Sequence, residues 1–262
     1  MERYDVPVNV PHGIRYDLIV GGACRDAIIG VKPRDYDLWY CTERGFYQAI
    51  EHLNRLGAKS IGATSRAGYP SKQGIWFGKQ CAHSVWIKGR DVFDMMYFPE
   101  MEQDELKTLC ADNMCFGVNA CFQEYGGSIY SKARPCEYES RELEPNASTM
   151  STVSILRRSY RLFKRGWKPG AGLTGLLFKR LDEICKNVDR FLYSEERAII
   201  CTGNGYSGTL DHVDFSLVWQ VFLKHIPDDH MLIGFLSSSD DIIRVLAKEN
   251  NRRKNHCQSG CC

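Results

Sequence analysis

The sequence predicts an α+β protein. A mixed sheet with flanking helices is expected over residues 1–145 and a smaller all-helical domain over 146–250, followed by a disordered Cys-rich tail over 251–262. Three observations predict this arrangement. Short apolar runs that stop at glycine alternate with segments of helical period through the first 140 or so residues, which is the pattern of strands and helices built around one sheet. Beyond Pro145-Asn146 the strand signals fade and helical periodicity takes over. The chain has 262 residues, 44% hydrophobic and 25% charged. That length suffices for two cores, since folded domains cluster at roughly 100–150 residues.

Composition narrows the function classes. It excludes global disorder, and 34 Lys+Arg against 32 Asp+Glu give a net charge of +2 that argues for no particular partner. No run of about 18 apolar residues occurs, and the opening MERYDVPVNVPHG lacks the apolar core of a signal peptide, so no membrane partner is expected. The twelve cysteines are scattered with no Cys-x-x-Cys pair. They read as small core hydrophobes in a reducing, cytoplasmic setting without a structural zinc site. The tail, His-Cys-Gln-Ser-Gly-Cys-Cys, leaves metal binding or lipidation open beside disorder.

Taken in order, residues 16–20 form an apolar strand that stops at Gly21-Gly22, and residues 23–29 wind as a helix with Ile28 and Ile29 inward. Residues 35–40 alternate so that Asp35 and Asp37 share one face, with Tyr36 and Leu38 on the other. Thr42 caps a helix through Leu56 with Phe46, Ile50 and Leu53 on its stripe and Gly57 at its end. Residues 62–78, rich in Gly, Ser and Lys, read as a surface loop. Residues 84–88 turn at Gly89 and return as 92–98, a hairpin; 114–122 is a further strand and 128–130 a short one. Between 151 and 197, eleven Lys+Arg stand against five acids, and 211–249 carries two packing helices.

Asp35 and Asp37 form a pair of carboxylates suited to hard cations such as Mg²⁺, two of which can sit about 3.5–4 Å apart in sites that handle phosphate. Gly21-Gly22 lets backbone N–H groups approach phosphate oxygens with no Cβ in the way. A third carboxylate from a neighbouring strand completes such a site, and Asp94, between Phe93 and Met95, is preferred over Asp91 beside Arg90.

Leu18-Ile19-Val20-Gly21-Gly22-Ala23-Cys24-Arg25-Asp26, followed by Arg34-Asp35-Tyr36-Asp37, resembles the head signature of the bacterial-type tRNA nucleotidyltransferases (CCA-adding enzymes) and poly(A) polymerases, in the DNA polymerase beta superfamily. Ile155-Leu156-Arg157-Arg158-Ser159-Tyr160-Arg161 with Gly166-Trp167 is similar to that family's neck helix, and Ser194-Glu195-Glu196-Arg197 to a later one. The resemblance implies a polymerase-beta-like head followed by a helical neck and body. It makes Asp35 and Asp37 ligands of two Mg²⁺ ions, with an NTP as substrate, and Asp94, chosen from its place in the hairpin strand, completes the expected catalytic set. It places Gly21 and Gly22 on the triphosphate and Arg25 beside phosphate, with Asp26 and Asn119 taken as nucleotide-binding beside them; on the basic helix, Arg157, Arg158 or Arg161 is expected to contact phosphate, the alternative being a solvated face.

There are departures from the family. Where it carries Arg-Arg-Asp-Phe-Thr-x-Asn, residues 113–119 keep Phe116 and Asn119 but lack the arginines and the acid, and the base-reading Glu-Asp-x-x-Arg is absent at 150–154. His12, His52, His83, His212, His225, His230 and His256 show no metal or nucleophile spacing and read as structural. The expected activity is Mg²⁺-dependent transfer of a nucleoside monophosphate to an RNA 3′ end, with tRNA the leading acceptor. The alternatives are transfer to a small molecule or protein, and a non-catalytic nucleotide or RNA binder.

Overall fold

Leu18, Ile19 and Val20 have no exposed surface, so the short strand they form is covered on both sheet faces and organises the first domain. In the computed structural model, residues 1–61, 72–76, 78–146 and 152–176 are described. The chain divides into two compact units, Met1–Ser140 and Arg141–Cys262.

In the first unit, β1 (Glu2–Tyr4) precedes β2 (Leu18–Val20), and α1 (Gly22–Ile28) leads to β3 (Asp35–Tyr40) and α2 (Glu43–Arg55). Then come β4 (Lys59–Ile61), β5 (Lys72–Trp76), β6 (Lys79–Lys88), β7 (Asp91–Tyr97), α3 (Gln103–Asn113), β8 (Cys121–Glu124), β9 (Ile129–Ser131) and α4 (Pro135–Ser140). The nine strands make one sheet in the order β1-β9-β8-β2-β3-β7-β6-β4, with β5 also on β6. All neighbours are antiparallel except β3 and β7.

Period-two alternation sorts the side chains of β3 onto two cores. Tyr36, Leu38 and Tyr40 join Phe93, Met95 and the α2 residues Phe46, Ile50 and Leu53 on one face. Trp39 joins Leu18, Val20, Met96, Phe98 and the α3 residues Leu106, Leu109 and Cys110 on the other. Thr42 caps α2 through a 3.2 Å bond from the Gly45 N–H. Gly57, at φ +69°, stands just beyond its end, where a left-handed residue commonly stops a helix.

Three expectations are corrected. The stretch 114–122 is not a strand, because Phe116 leads into a 3-10 turn, Gly117–Asn119, and pairing begins only at Cys121. The segment 62–78 is not all loop: Lys72–Trp76 pairs with β6. The second unit is not all-helical, since β10 (Glu142–Leu143) and β11 (Lys168–Pro169) form a parallel pair around α5 (Thr152–Phe163). Within that unit Ile155, Leu162, Phe163, Trp167 and Leu173 are buried. The expected helices of 211–249, the Ser194-Glu195-Glu196-Arg197 stretch and the tail lie outside the described residues.

Candidate active site

The sheet topology gathers the candidate residues at one end. β2 runs out of the core into Gly21, and antiparallel pairing of Val20 with Asp37 puts the start of β3 beside that exit. β7 runs parallel to β3 and in register, so Asp94 is the direct partner of Asp37, while Asp35 lies opposite Val92. In-register residues of parallel neighbours share a face, and so do residues two apart on one strand. Asp35, Asp37 and Asp94 therefore sit on one face of the sheet. Asp35 is exposed, and Asp37 and Asp94 are half-buried.

The glycine turn packs against this pair. Gly21 has φ +70° and ψ −128°, a region that is essentially glycine's alone, and a Cβ built on it would stand 3.4 Å from Asp37 Oδ2. Its N–H donates to the Cys121 carbonyl at 2.9 Å, so any backbone donor for a ligand comes from Gly22 onward. The Asp37 charge also reaches the thiols beneath: the pKa of Cys24 and of Cys110 is raised, chiefly by complete burial and further by Asp37.

Arg25, Asp26 and Asn119 also meet. Arg25, only 4% exposed, donates from Nε and Nη2 to Asp26 Oδ1 at 2.8 and 2.5 Å, and from Nη1 to Asn119 Oδ1 at 2.8 Å. Its guanidinium is thus tied to α1 and to the turn before β8. Arg157, Arg158 and Arg161 belong to α5 of the second unit; Arg161 is exposed and Arg158 half-buried.

One residue of this face escaped the sequence reading. His83, read from the sequence as structural, stands on this face: its Nε2 lies 2.6 Å from Asp94 Oδ1, and Trp76 stacks on its ring at 6.2 Å and 27°. Cys81, two residues earlier, has its thiol pushed up to about 11, mainly by burial and also by the Asp94 charge. The signal was present in the hairpin. Gly89 has φ +63° while Arg90 does not enter the positive region, which makes Gly89-Arg90 a two-residue loop of the type II′ pattern. That loop pairs Lys88 with Asp91 and Val85 with Asp94, which puts His83 on the same face as Asp94, one pleat away.

The donor set here is carboxylate oxygen, which fits Mg²⁺ in kind. Among the described residues no three His, Cys, Asp or Glu side chains already stand together at metal-holding distances. Asp37 and Asp94 are direct partners across β3 and β7, with Asp35 one pleat further along.

No protein-family model matches the chain, and no curated protein does. Among solved structures, the chain is similar to a CCA-adding enzyme in complex with CTP, at 16% identity and a TM-score of 0.46, over 63% of this chain and 38% of that one. A CCA-adding enzyme in complex with ATP gives 17% identity and a TM-score of 0.44 over 63% and 38%. A tRNA-processing enzyme complex gives 17% and 0.41 over 63% and 43%. The chain therefore spans less than half the length of these proteins. Among the described residues no helix is long and apolar enough to cross a membrane.

Proposed function

We propose that the chain is a nucleotidyltransferase that moves a nucleoside monophosphate from an NTP to a hydroxyl, with an RNA 3′ end as acceptor and tRNA as the leading choice. The observation that carries this reading is the registration of Asp37 opposite Asp94 beside the Gly21-Gly22 turn. Like charges on adjacent strands repel one another, and a cation between them relieves that cost. The head signature at residues 18–37 supports the same reading.

In the reaction the acceptor oxygen attacks the α-phosphorus, a new P–O bond forms, the bond to the β-phosphate oxygen breaks, and pyrophosphate leaves. Asp35, Asp37 and Asp94 would hold two Mg²⁺, which when bound lower the pKa of the attacking hydroxyl and neutralise the departing phosphates. Asp94, on the strand next to the Asp35-Asp37 pair, would serve the acceptor side and draw the hydroxyl proton away. Gly21 keeps the triphosphate side open because it has no Cβ beside Asp37 Oδ2, and the backbone from Gly22 onward supplies N–H donors. Arg25 and Asp26 brace that turn and hold Asn119 in place, where its amide N–H₂ can serve the nucleotide. Arg157, Arg158 and Arg161 would supply cations for phosphate.

A specific observation favours a second reading of the acceptor. Residues 113–119 carry no arginine and 150–154 carry no Glu-Asp-x-x-Arg set, which suits transfer to a small molecule or a protein side chain. One experiment separates the readings: the full chain with Mg²⁺, each α-labelled NTP in turn, and either total RNA or cell extract. Label on RNA supports the first reading and label on a metabolite or protein the second. Absence of label with every acceptor, alongside measurable NTP binding, identifies a binder and ends both.

A further inference from the structure

We infer that His83 is a positioning residue for Asp94, fixing one oxygen of that carboxylate so that a divalent cation meets a single oriented oxygen. The inference rests on the proposed transferase site and goes beyond it, because nothing in the head signature involves β6.

An ionised carboxylate only accepts hydrogen bonds, so at 2.6 Å it is the His83 Nε2–H that donates to Asp94 Oδ1. The bond is diagonal across the hairpin. His83 registers with Met96 and Asp94 with Val85, so the two side chains share a face through the pairing itself and not through a chance loop contact. Trp76, on the neighbouring β5, stacks on the imidazole and restricts its rotation. Both groups are about a quarter exposed, His83 at 27% and Asp94 at 23%, so the bond sits at the edge of the core, where solvent and ligand can reach the carboxylate. Groups that orient a metal ligand in this way commonly change metal affinity or activity by about 10–100-fold when removed.

The test compares the full-length parent with His83→Phe, His83→Asn and His83→Gln. Phe keeps a ring against Trp76 without a donor, Asn has a donor too short to reach, and Gln has one long enough. Thermal melting is followed during MnCl₂ titration without nucleotide, and kcat and KM for NTP are measured separately. The inference predicts that the half-saturating Mn²⁺ concentration rises about 10–100-fold for Phe and Asn and is substantially restored by Gln, with kcat falling while KM for NTP holds. It is overturned if Phe and Asn titrate Mn²⁺ as the parent does, if Gln fails as fully as Asn, or if the parent shows no response to Mn²⁺. A Phe variant that melts early in EDTA leaves the decision to the Asn and Gln pair, which differ only in reach. If the parent transfers label to no acceptor, the proposed function fails, and the Mn²⁺ comparison still decides the role of His83.

Discussion

A Cβ placed on Gly21 would lie 3.4 Å from Asp37 Oδ2, so the backbone conformation of the turn and the position of the first registered carboxylate are one structural fact. Gly21→Ala forces a side chain into φ +70°, ψ −128°, at about 1–3 kcal/mol. Gly22→Ala introduces a Cβ 3.6 Å from Arg25 Nη2, an ordinary contact. Urea denaturation should show a clear loss for the first and a near-neutral result for the second, and label transfer should fall with the first.

Removing the Arg25 guanidinium breaks the ion pair it makes with the buried Asp26 carboxylate. Arg25→Ala should cost about 3–5 kcal/mol, the range for breaking a buried pair from one side. Asn119→Ala, which removes one bond to a charged donor, should cost about 1.5–3 kcal/mol. The order of the two urea midpoints checks the account: an Arg25→Ala midpoint above that of Asn119→Ala contradicts the view that the guanidinium braces the turn.

Alkaline pH should destabilise the fold. Burial raises Cys81 and Cys41 from 9.0 to about 11 and Tyr4 and Tyr16 from 10.0 to about 12. Above the ordinary values the unfolded chain releases protons that the native chain keeps, so stability has a negative slope with pH. The contribution is complete below about pH 9 and disappears as pH climbs through 11 and 12. Urea midpoints at pH 8 and pH 10.5 measure it. At pH 8, iodoacetamide on the native protein should label exposed Cys136 well ahead of buried Cys24, Cys81, Cys110 and Cys121.

Much of the head was legible because its signals are local. The alternation of Asp35, Tyr36, Asp37 and Leu38 gives β3 its two faces, and Thr42 and Gly57 bracket α2. The placement of Asp94 followed from a hairpin punctuated at Gly89. What was missed depends on neighbours. Residues 114–122 are apolar because Met114, Cys115, Phe116 and Val118 are buried by tertiary packing, and an apolar run alone does not separate a buried turn from a strand. The helix over 103–113 had its i, i+3, i+4 set in Leu106, Leu109 and Cys110. Its capping box, Glu102 with Glu105, uses Glu where Ser or Thr is usual. His83 looked inert because its partner lies eleven residues away, and only the register of the hairpin joins them.

The most direct measurement is transfer of α-labelled NMP by the parent, Asp37→Asn and Asp94→Asn under identical Mg²⁺, with melting curves to show that all three are folded. The carboxylate pair is proposed to supply several kcal/mol of charge stabilisation, so each variant should lose about a hundred-fold or more in kcat while still melting as a folded protein. A folded Asp37→Asn or Asp94→Asn that transfers label at the parental rate would contradict the account.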